Sequence, residues 1–355
     1  MLPAELSDEP VCVVPKIEPI APGIRLIRMP LPYEPFSVNC YLLGDDNDAV
    51  LIDTGIDDAM STEIWDRLLK GPLASVDIKR IVATHWHNDH LGLAGHLAEK
   101  TGATVIITAG EFAAAHDLLN LPANERAESE IQFLAAHGAD PQLAREWIAT
   151  GFPHMSMISS LPKHVQTIAD GDELYLAGRC FIVRILGGHS PATAVLIADD
   201  VVICGDQISS QMLPNVSVSG AAPGANPLHV YVRSLGRLRG IKADVLVLPG
   251  HEDVFTGLDA AIDRIIDRHE ASLTRLLVAG SGAGQTATQL SAVLTREPPG
   301  PMWLGWVIGR AVAYARFAES LGLMRSEQRD AVTFFETVPG AGLTRDLLAE
   351  HRVAG

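Results

Sequence analysis

The 355-residue sequence contains no CxxC pair. Its four cysteines, Cys12, Cys40, Cys180 and Cys204, are scattered along the chain. That pattern does not describe a disulfide scaffold and suits a reducing compartment. Cys40, Cys180 and Cys204 stand in apolar, strand-like runs, where free cysteine acts as a small hydrophobe. No apolar run approaches the ~20 residues of a membrane span. The first residues, with Glu5, Asp8, Glu9 and prolines at 3, 10 and 15, lack the basic start and apolar core of a signal peptide. The expected location is therefore the cytoplasm, with no membrane partner. Positive charge is also scarce: 27 Lys and Arg face 43 Asp and Glu, for a net charge of −16. An acidic surface repels phosphate backbones and lipid headgroups, so nucleic-acid binding is disfavoured unless a local basic patch exists. The last part of the chain does not supply one. From Gly280 to Gly355 there is no lysine, and seven arginines balance seven acidic residues.

What the chain does have is apolar content, at 47 % hydrophobic residues, and enough length for one large domain plus a smaller one. After an extended, proline-marked arm (1–22), short apolar runs read as strands at 24–29, 38–43, 50–53, 80–83 and 104–108. Helices are expected at 58–69 and 91–100. Further strands are expected at 180–186, 194–198, 201–204 and 245–248, so the layout is an α/β layered domain over 23–279. A helical insertion, about 111–165, interrupts it. A long amphipathic helix carries Leu258, Ile262, Ile265, Ile266, His269, Leu273, Leu276 and Leu277. Gly280–Gly284 ends that helix and marks the boundary of a C-terminal module, 280–355, with helices at 286–294 and 302–321 and a β-like piece at 332–338.

The chemistry is concentrated in Thr84-His85-Trp86-His87-Asn88-Asp89-His90-Leu91-Gly92, between an apolar strand and a helix. Open α/β sheets place their sites on loops at the C-terminal ends of strands. Residues two apart in an extended loop face the same way, so His85, His87 and Asp89 can converge. Three more segments add ligands: Gly187-Gly188-His189-Ser190, Gly205-Asp206 and Leu248-Pro249-Gly250-His251, each beside glycine at a strand end. Asp53 ends another strand in Leu51-Ile52-Asp53-Thr54-Gly55. Imidazole with carboxylate suits borderline divalent ions such as zinc, and a structural zinc site would need only four ligands. The remaining histidines at 96, 116, 137, 154, 164, 229, 269 and 351 are read as structural.

In this order the motifs resemble the metallo-β-lactamase superfamily, with its HxHxDH segment followed by histidine, aspartate and histidine. The resemblance covers roughly Asn39 to His251. It implies an αββα sandwich with two metal ions at one edge. One ion would be held by His85, His87 and His189, the other by Asp89, His90 and His251, with Asp206 bridging them and Asp53 orienting ligands. Zinc is the expected metal, with Mn2+ or Fe2+ as alternatives. Two ions lower the pKa of a shared water, supply hydroxide at neutral pH and polarise the electrophile. Asp89 could accept the nucleophile's proton, which makes Asp89 and Asp206 the candidate catalytic residues.

Departures from relatives narrow the reading. Lactamases proper lack an aspartate at the bridging position, and flavodiiron proteins carry glutamate where this chain has His87. Glyoxalase II continues Gly-Asp with Thr-Leu-Phe, but here Gln207-Ile208-Ser209 follows. Acyl-homoserine lactonases have a tyrosine after the bridge, and residues 207–211 contain none. Gly205-Asp206-Gln207 with Leu213-Pro214-Asn215-Val216-Ser217-Val218 is similar to a bacterial branch that carries a C-terminal winged-helix-like module. Trp86, Phe152, Met155, Met157 and Met212 are candidate substrate-pocket residues, since flexible apolar side chains suit a hydrophobic acyl or alkoxy group. The same residues could simply pack the insertion onto the sandwich. The expected function is hydrolysis of an ester, thioester or lactone in a small hydrophobic substrate. A phosphodiesterase or ribonuclease and a non-catalytic metal-binding sensor are the alternatives. The apolar face of Leu304, Ile308, Ala311, Ala315, Ala318 and Leu321 suits packing on the catalytic domain or a homodimer through the C-terminal module.

Overall fold

A strand that is apolar at every position, such as Ala49–Ile52, must have both faces covered. In the computed structural model, which describes residues 14–149, 158, 160–295 and 303–341, two sheets stacked between helical layers provide that cover. The first sheet holds β1 (Ile17–Ala21), β2 (Ile24–Pro30), β3 (Ser37–Leu43), β4 (Ala49–Ile52), β5 (Ile78–Val82), β6 (Thr104–Thr108) and β7 (Val165–Ile168), in chain order. Strands β1 to β4 pair antiparallel, and β4 to β7 pair parallel. The parallel crossovers carry α1 (Ala59–Lys70), α2 (Asn88–Leu91) and α3 (Ala94–Thr101).

The connection from β6 to β7 is the helical insertion: α4 (Ala109–Asn120), α5 (Ala123–Ala136) and α6 (Pro141–Ala149). The second sheet comprises β8 (Glu173–Leu176), β9 (Arg179–Leu186), β10 (Thr193–Ile197), β11 (Val201–Gly205) and β12 (Leu246–Pro249). Its order is β12-β11-β10-β9-β8, antiparallel except for β11 with β12, which α7 (Pro227–Gly236) helps to connect. Then follow α8 (Leu258–Ala279), β13 (Gln285–Thr286), α9 (Ala287–Ser291), α10 (Leu304–Ser320), β14 (Met324–Arg329) and β15 (Val332–Thr337). The last strands form a small sheet in the order β13-β15-β14.

Strand periodicity sorts the apolar residues into layers. Leu26, Tyr41, Val50, Ile52 and Val82 meet Phe181, Val183, Leu196 and Ile203 between the sheets. Ile27, Cys40, Leu42, Leu51 and Ile81 face outward onto Ile64, Trp65, Leu68 and Leu97 of α1 and α3. On the far side, Leu186, Val195, Val202 and Val247 pack under Tyr231, Leu235, Ile262 and Ile265. That cluster runs on into Phe133, Leu134 and Trp147 of the insertion and Leu290, Ile308, Val312 and Phe335 of the C-terminal part. The order helix, sheet, sheet, helix is the expected αββα sandwich.

Several elements differ from the sequence reading. Part of the expected arm is strand β1, paired with β2. Strands β7, β8 and β14 were not expected: β7 and β8 are only 4 residues long, and every residue of β14 after Met324 is polar and exposed. Its hairpin with β15 is closed by Asp330 and Ala331, both at positive φ, the conformation a tight two-residue turn requires. Cys180 is exposed rather than buried, because Phe181 and Val183 take the inward positions of β9. Among the described residues, no helix is long and apolar enough to cross a membrane.

Candidate metal centre

The C-terminal ends of β4, β5, β9, β11 and β12 lie at one edge of the sandwich and deliver Asp53, the 85–90 segment, His189, Asp206 and His251. Three groups able to hold a metal form there: His85 with His87 and His189, His85 with His90 and Asp206, and Asp89 with His90 and His251. All seven expected ligands are thus brought together, and His85 and His90 put the groups in contact, with ring centroids 4.1 Å apart.

In the first group, His85 Nε2 lies 3.0 Å from His87 Nδ1 and 3.2 Å from His189 Nε2. Tetrahedral zinc with bonds of about 2.0–2.1 Å places its nitrogen ligands about 3.3 Å apart, so this spacing fits one ion. Burial lowers the pKa of all three imidazoles, with His87 brought to about 3, which keeps their lone pairs available.

In the second group, His251 Nε2 is 3.2 Å from Asp89 Oδ2, and His90 Nε2 is 3.6 Å from the same oxygen. Asp206 reaches both groups: its oxygens lie 3.5 Å from His189 Nε2, 3.3 Å from His251 Nε2 and 3.4 Å from His90 Nε2. Burial alone would raise Asp89, but neighbouring His90 and His251 hold its carboxyl well below the usual range. Burial works against charge on His251 too, yet Asp206 and Asp89 push it up to about 10. Carboxylates packed this closely demand positive charge, and a divalent ion supplies it without the imidazoles having to be protonated. His90 Nε2 and Asp206 Oδ1 are buried without a hydrogen-bond partner. At Gly250, an added Cβ would stand 2.2 Å from Asp206 Oδ1 and 2.6 Å from His90 Cε1. Orphaned donor atoms and a glycine-cleared space are what a metal cradle requires, so the residues present fit the ions.

The atoms behind the ligands fix their orientation. Asp53 Oδ2 lies 2.7 Å from His90 Nδ1 and accepts the Thr84 hydroxyl at 2.8 Å, while Thr84 Oγ1 is 3.1 Å from His85 Nδ1. His189 Nδ1 faces the Asn215 carbonyl at 2.8 Å, and His251 Nδ1 faces the Ser37 carbonyl at 2.7 Å. Strand β3 pins the His251 loop further: Asn39 Nδ2 and the Tyr41 hydroxyl both donate to the Pro249 carbonyl. Tyr231 donates to the Gln207 carbonyl and packs so closely on Gly188 that a Cβ there would lie 2.3 Å from its own Cβ. Glu252 accepts from Ser210, Gln211 and Met212, tying the segment after Asp206 to the His251 loop. Of these supports only Asp53 was anticipated. Thr84 was legible from its place before His85, but nothing in the sequence marked Tyr231 or Glu252.

The expected pocket residues divide. Trp86 is half-buried with its ring 4.9 Å from that of His87, and Met212 is half-buried on the segment held by Glu252. Phe152, Met155 and Met157 lie outside the described residues. No other described histidine joins a metal-holding group; His269, for example, is buried with Nδ1 2.7 Å from the Tyr314 hydroxyl.

The chain is similar to solved structures over almost its whole length. A β-lactamase domain protein from Burkholderia ambifaria superimposes with a TM-score of 0.82 at 27 % identity, covering 93 % of this chain and 97 % of that one. A metallo-β-lactamase family protein from Thermus thermophilus gives 0.74 at 25 % identity, covering 90 % and 99 %. An uncharacterised Aquifex aeolicus protein is 24 % identical over 230 residues, 64 % of this chain and 90 % of that one. The metallo-β-lactamase superfamily model matches residues 33–251, from the β2–β3 connection through the last histidine of the centre. With that match spanning more than half of its length, the chain belongs to the metallo-β-lactamase superfamily.

Proposed function

We propose that the protein is a dinuclear, zinc-dependent hydrolase acting on an ester, thioester or lactone carbonyl of a small hydrophobic substrate. The observation that carries this reading is the position of Asp206, whose carboxylate lies within 3.5 Å of His189 on one side and of His90 and His251 on the other. His85, His87 and His189 would hold one ion, Asp89, His90 and His251 the second, and Asp206 both. When bound, the ions would supply a water of lowered pKa and polarise the electrophile's oxygen. The chain's own contribution is to hold these side chains rigidly and, by burial, to keep the His85, His87 and His189 imidazoles neutral. Asp89, with an oxygen 3.2 Å from His251 Nε2, would also take up a proton from the nucleophile.

Support for a hydrophobic substrate comes from Trp86 beside His87 and from Phe36, which is 62 % exposed next to Ser37, whose carbonyl faces His251. The C-terminal part, proposed as a winged-helix-like module, serves on this reading as a structural support. The apolar face of α10 packs on α6, α7 and α8 of the same chain. The two arginines of that helix are also engaged, Arg316 donating to the Ala225 carbonyl and Arg310 lying over the Tyr314 ring. A homodimer through the module would therefore use another face, and sedimentation decides whether it forms.

The test combines metal analysis with a substrate panel. Purified protein is expected to hold about two ions per chain, and to hydrolyse members of an ester, thioester and lactone series but not phosphodiesters. Asp206→Ala and His85→Ala should abolish turnover with the fold retained. A single tight ion unaffected by Asp206→Ala would sink the dinuclear centre. Turnover of phosphodiesters alone would replace the substrate class.

A further inference from the structure

Glu111 carries a carboxylate that no motif of the family reading uses. It stands in the first turn of α4, is wholly buried, and pairs with no Lys or Arg among the described residues. Oε2 accepts the Trp86 backbone N–H at 2.9 Å, and Oε1 accepts the Ser190 hydroxyl at 2.6 Å and the Ala192 N–H at 2.5 Å. Trp86 lies between His85 and His87, and Ser190 follows His189. One side chain therefore fastens the two loops that present the three nitrogen ligands of the first group. The second group is fastened by other atoms: Asp53 on His90, the Ser37 carbonyl on His251, and Asn39 and Tyr41 on the loop before His251.

A buried carboxylate is expensive to desolvate unless its lone pairs are filled, and here all three donors belong to ligand-bearing loops. We propose that Glu111 is a positioning residue for one metal ion only, the one held by His85, His87 and His189. This inference rests on the two-metal reading above. In Glu111→Gln, one carboxylate oxygen becomes an NH2 group that must face a donor, whichever way the amide turns. The loops would then separate and the three nitrogens lose their common focus. The second group, with independent supports, would keep its geometry.

The experiment is a Zn2+ titration of metal-stripped protein against a competing chelator, on wild type, Glu111→Gln and Ser190→Ala. Each is combined in turn with His87→Ala, which disables the first group, and His251→Ala, which disables the second. Glu111→Gln is expected to weaken one of two Zn2+ steps by about 10–100-fold. It should have the same effect in the His251→Ala background and none in the His87→Ala background. Ser190→Ala, which removes one of the three bonds to Glu111 together with the contact to the Thr193 hydroxyl, should shift the same step by less and serves if Glu111→Gln does not fold. Equal weakening of both steps, or of neither, overturns the assignment of Glu111. Binding of only one Zn2+ by wild type would overturn the two-metal reading instead. Glu111 would then still stand or fall by whether its substitution weakens that ion.

Discussion

Asp53 Oδ2 lies 2.7 Å from His90 Nδ1, and through the Thr84 hydroxyl the same oxygen also reaches His85. One carboxylate thus sets the ring orientation of a histidine in each half of the centre. Its backbone is left-handed, with φ 57°, a conformation that asparagine tolerates better than most residues. Asp53→Asn therefore tests the hydrogen bonds without adding backbone strain. Either amide orientation sets an NH2 against a donor, the Thr84 N–H at Oδ1 or the donors at Oδ2. Metal affinity should fall about 10–100-fold by chelator competition, and the stripped protein should melt lower as well, because the mismatched donors are buried. Wild-type affinity in the variant would remove Asp53 from the account.

Gly250 tests the fit of the cradle from the opposite direction. Its N–H donates to the Gly205 carbonyl and its carbonyl accepts from Asn39, so the backbone cannot retreat. In Gly250→Ala the new methyl would displace the Asp206 carboxylate. Elemental analysis should find fewer than two ions per chain, and turnover should collapse while the circular dichroism spectrum is kept. Retention of both ions would show that the cradle is looser than its contacts indicate.

How far this was legible in the sequence depends on the range of the interaction concerned. The ligands follow from local rules: residues two apart on a loop, histidine beside glycine at a strand end. The layers follow from strand periodicity, and the insertion from its helical composition. Glu111 did not stand out, because its partners are backbone N–H groups and a hydroxyl 25, 79 and 81 residues away. Asn215 was noted as part of a branch-specific motif, but its use, a carbonyl turned to His189, is visible only once the chain has folded. Strand β14 escaped because pairing with β15, not its own polar composition, makes it a strand.

Glu130 on α5 should give the stability a pH dependence separate from that of the metal ligands. Burial raises its pKa to about 7 although it accepts the Gly220 N–H. Between the unfolded value of about 4.5 and about 7, the folded chain holds a proton that the unfolded chain releases. Stability should therefore fall as pH rises through that window and level off above it. The shift is worth about 3 kcal/mol at most. Glu130→Gln, which stays neutral and can still accept from Gly220, should flatten the slope in denaturant titrations from pH 5.5 to 8. A slope equal to that of wild type would assign the dependence elsewhere.

The C-terminal helix can be tested as a support for the centre through Gly309. An added Cβ there would lie 2.1 Å from the Val218 carbonyl oxygen, while the Gly309 carbonyl accepts the Val218 N–H. Val218 ends the segment that begins at Leu213 and includes Asn215, whose carbonyl orients His189. Gly309→Ala should therefore push that segment away from α10 and loosen the imidazole, although residue 309 touches no ligand. Alanine is also the better helix former, which alone would favour the variant by about 1 kcal/mol. The two effects have opposite signs, so the outcome is informative. If α10 only fills space, the variant should lose stability to this clash yet bind Zn2+ as wild type does. If α10 holds the 213–218 segment in place, Zn2+ affinity should drop and the metal-dependent gain in melting temperature should shrink. Added Zn2+ should then recover both only at higher concentration.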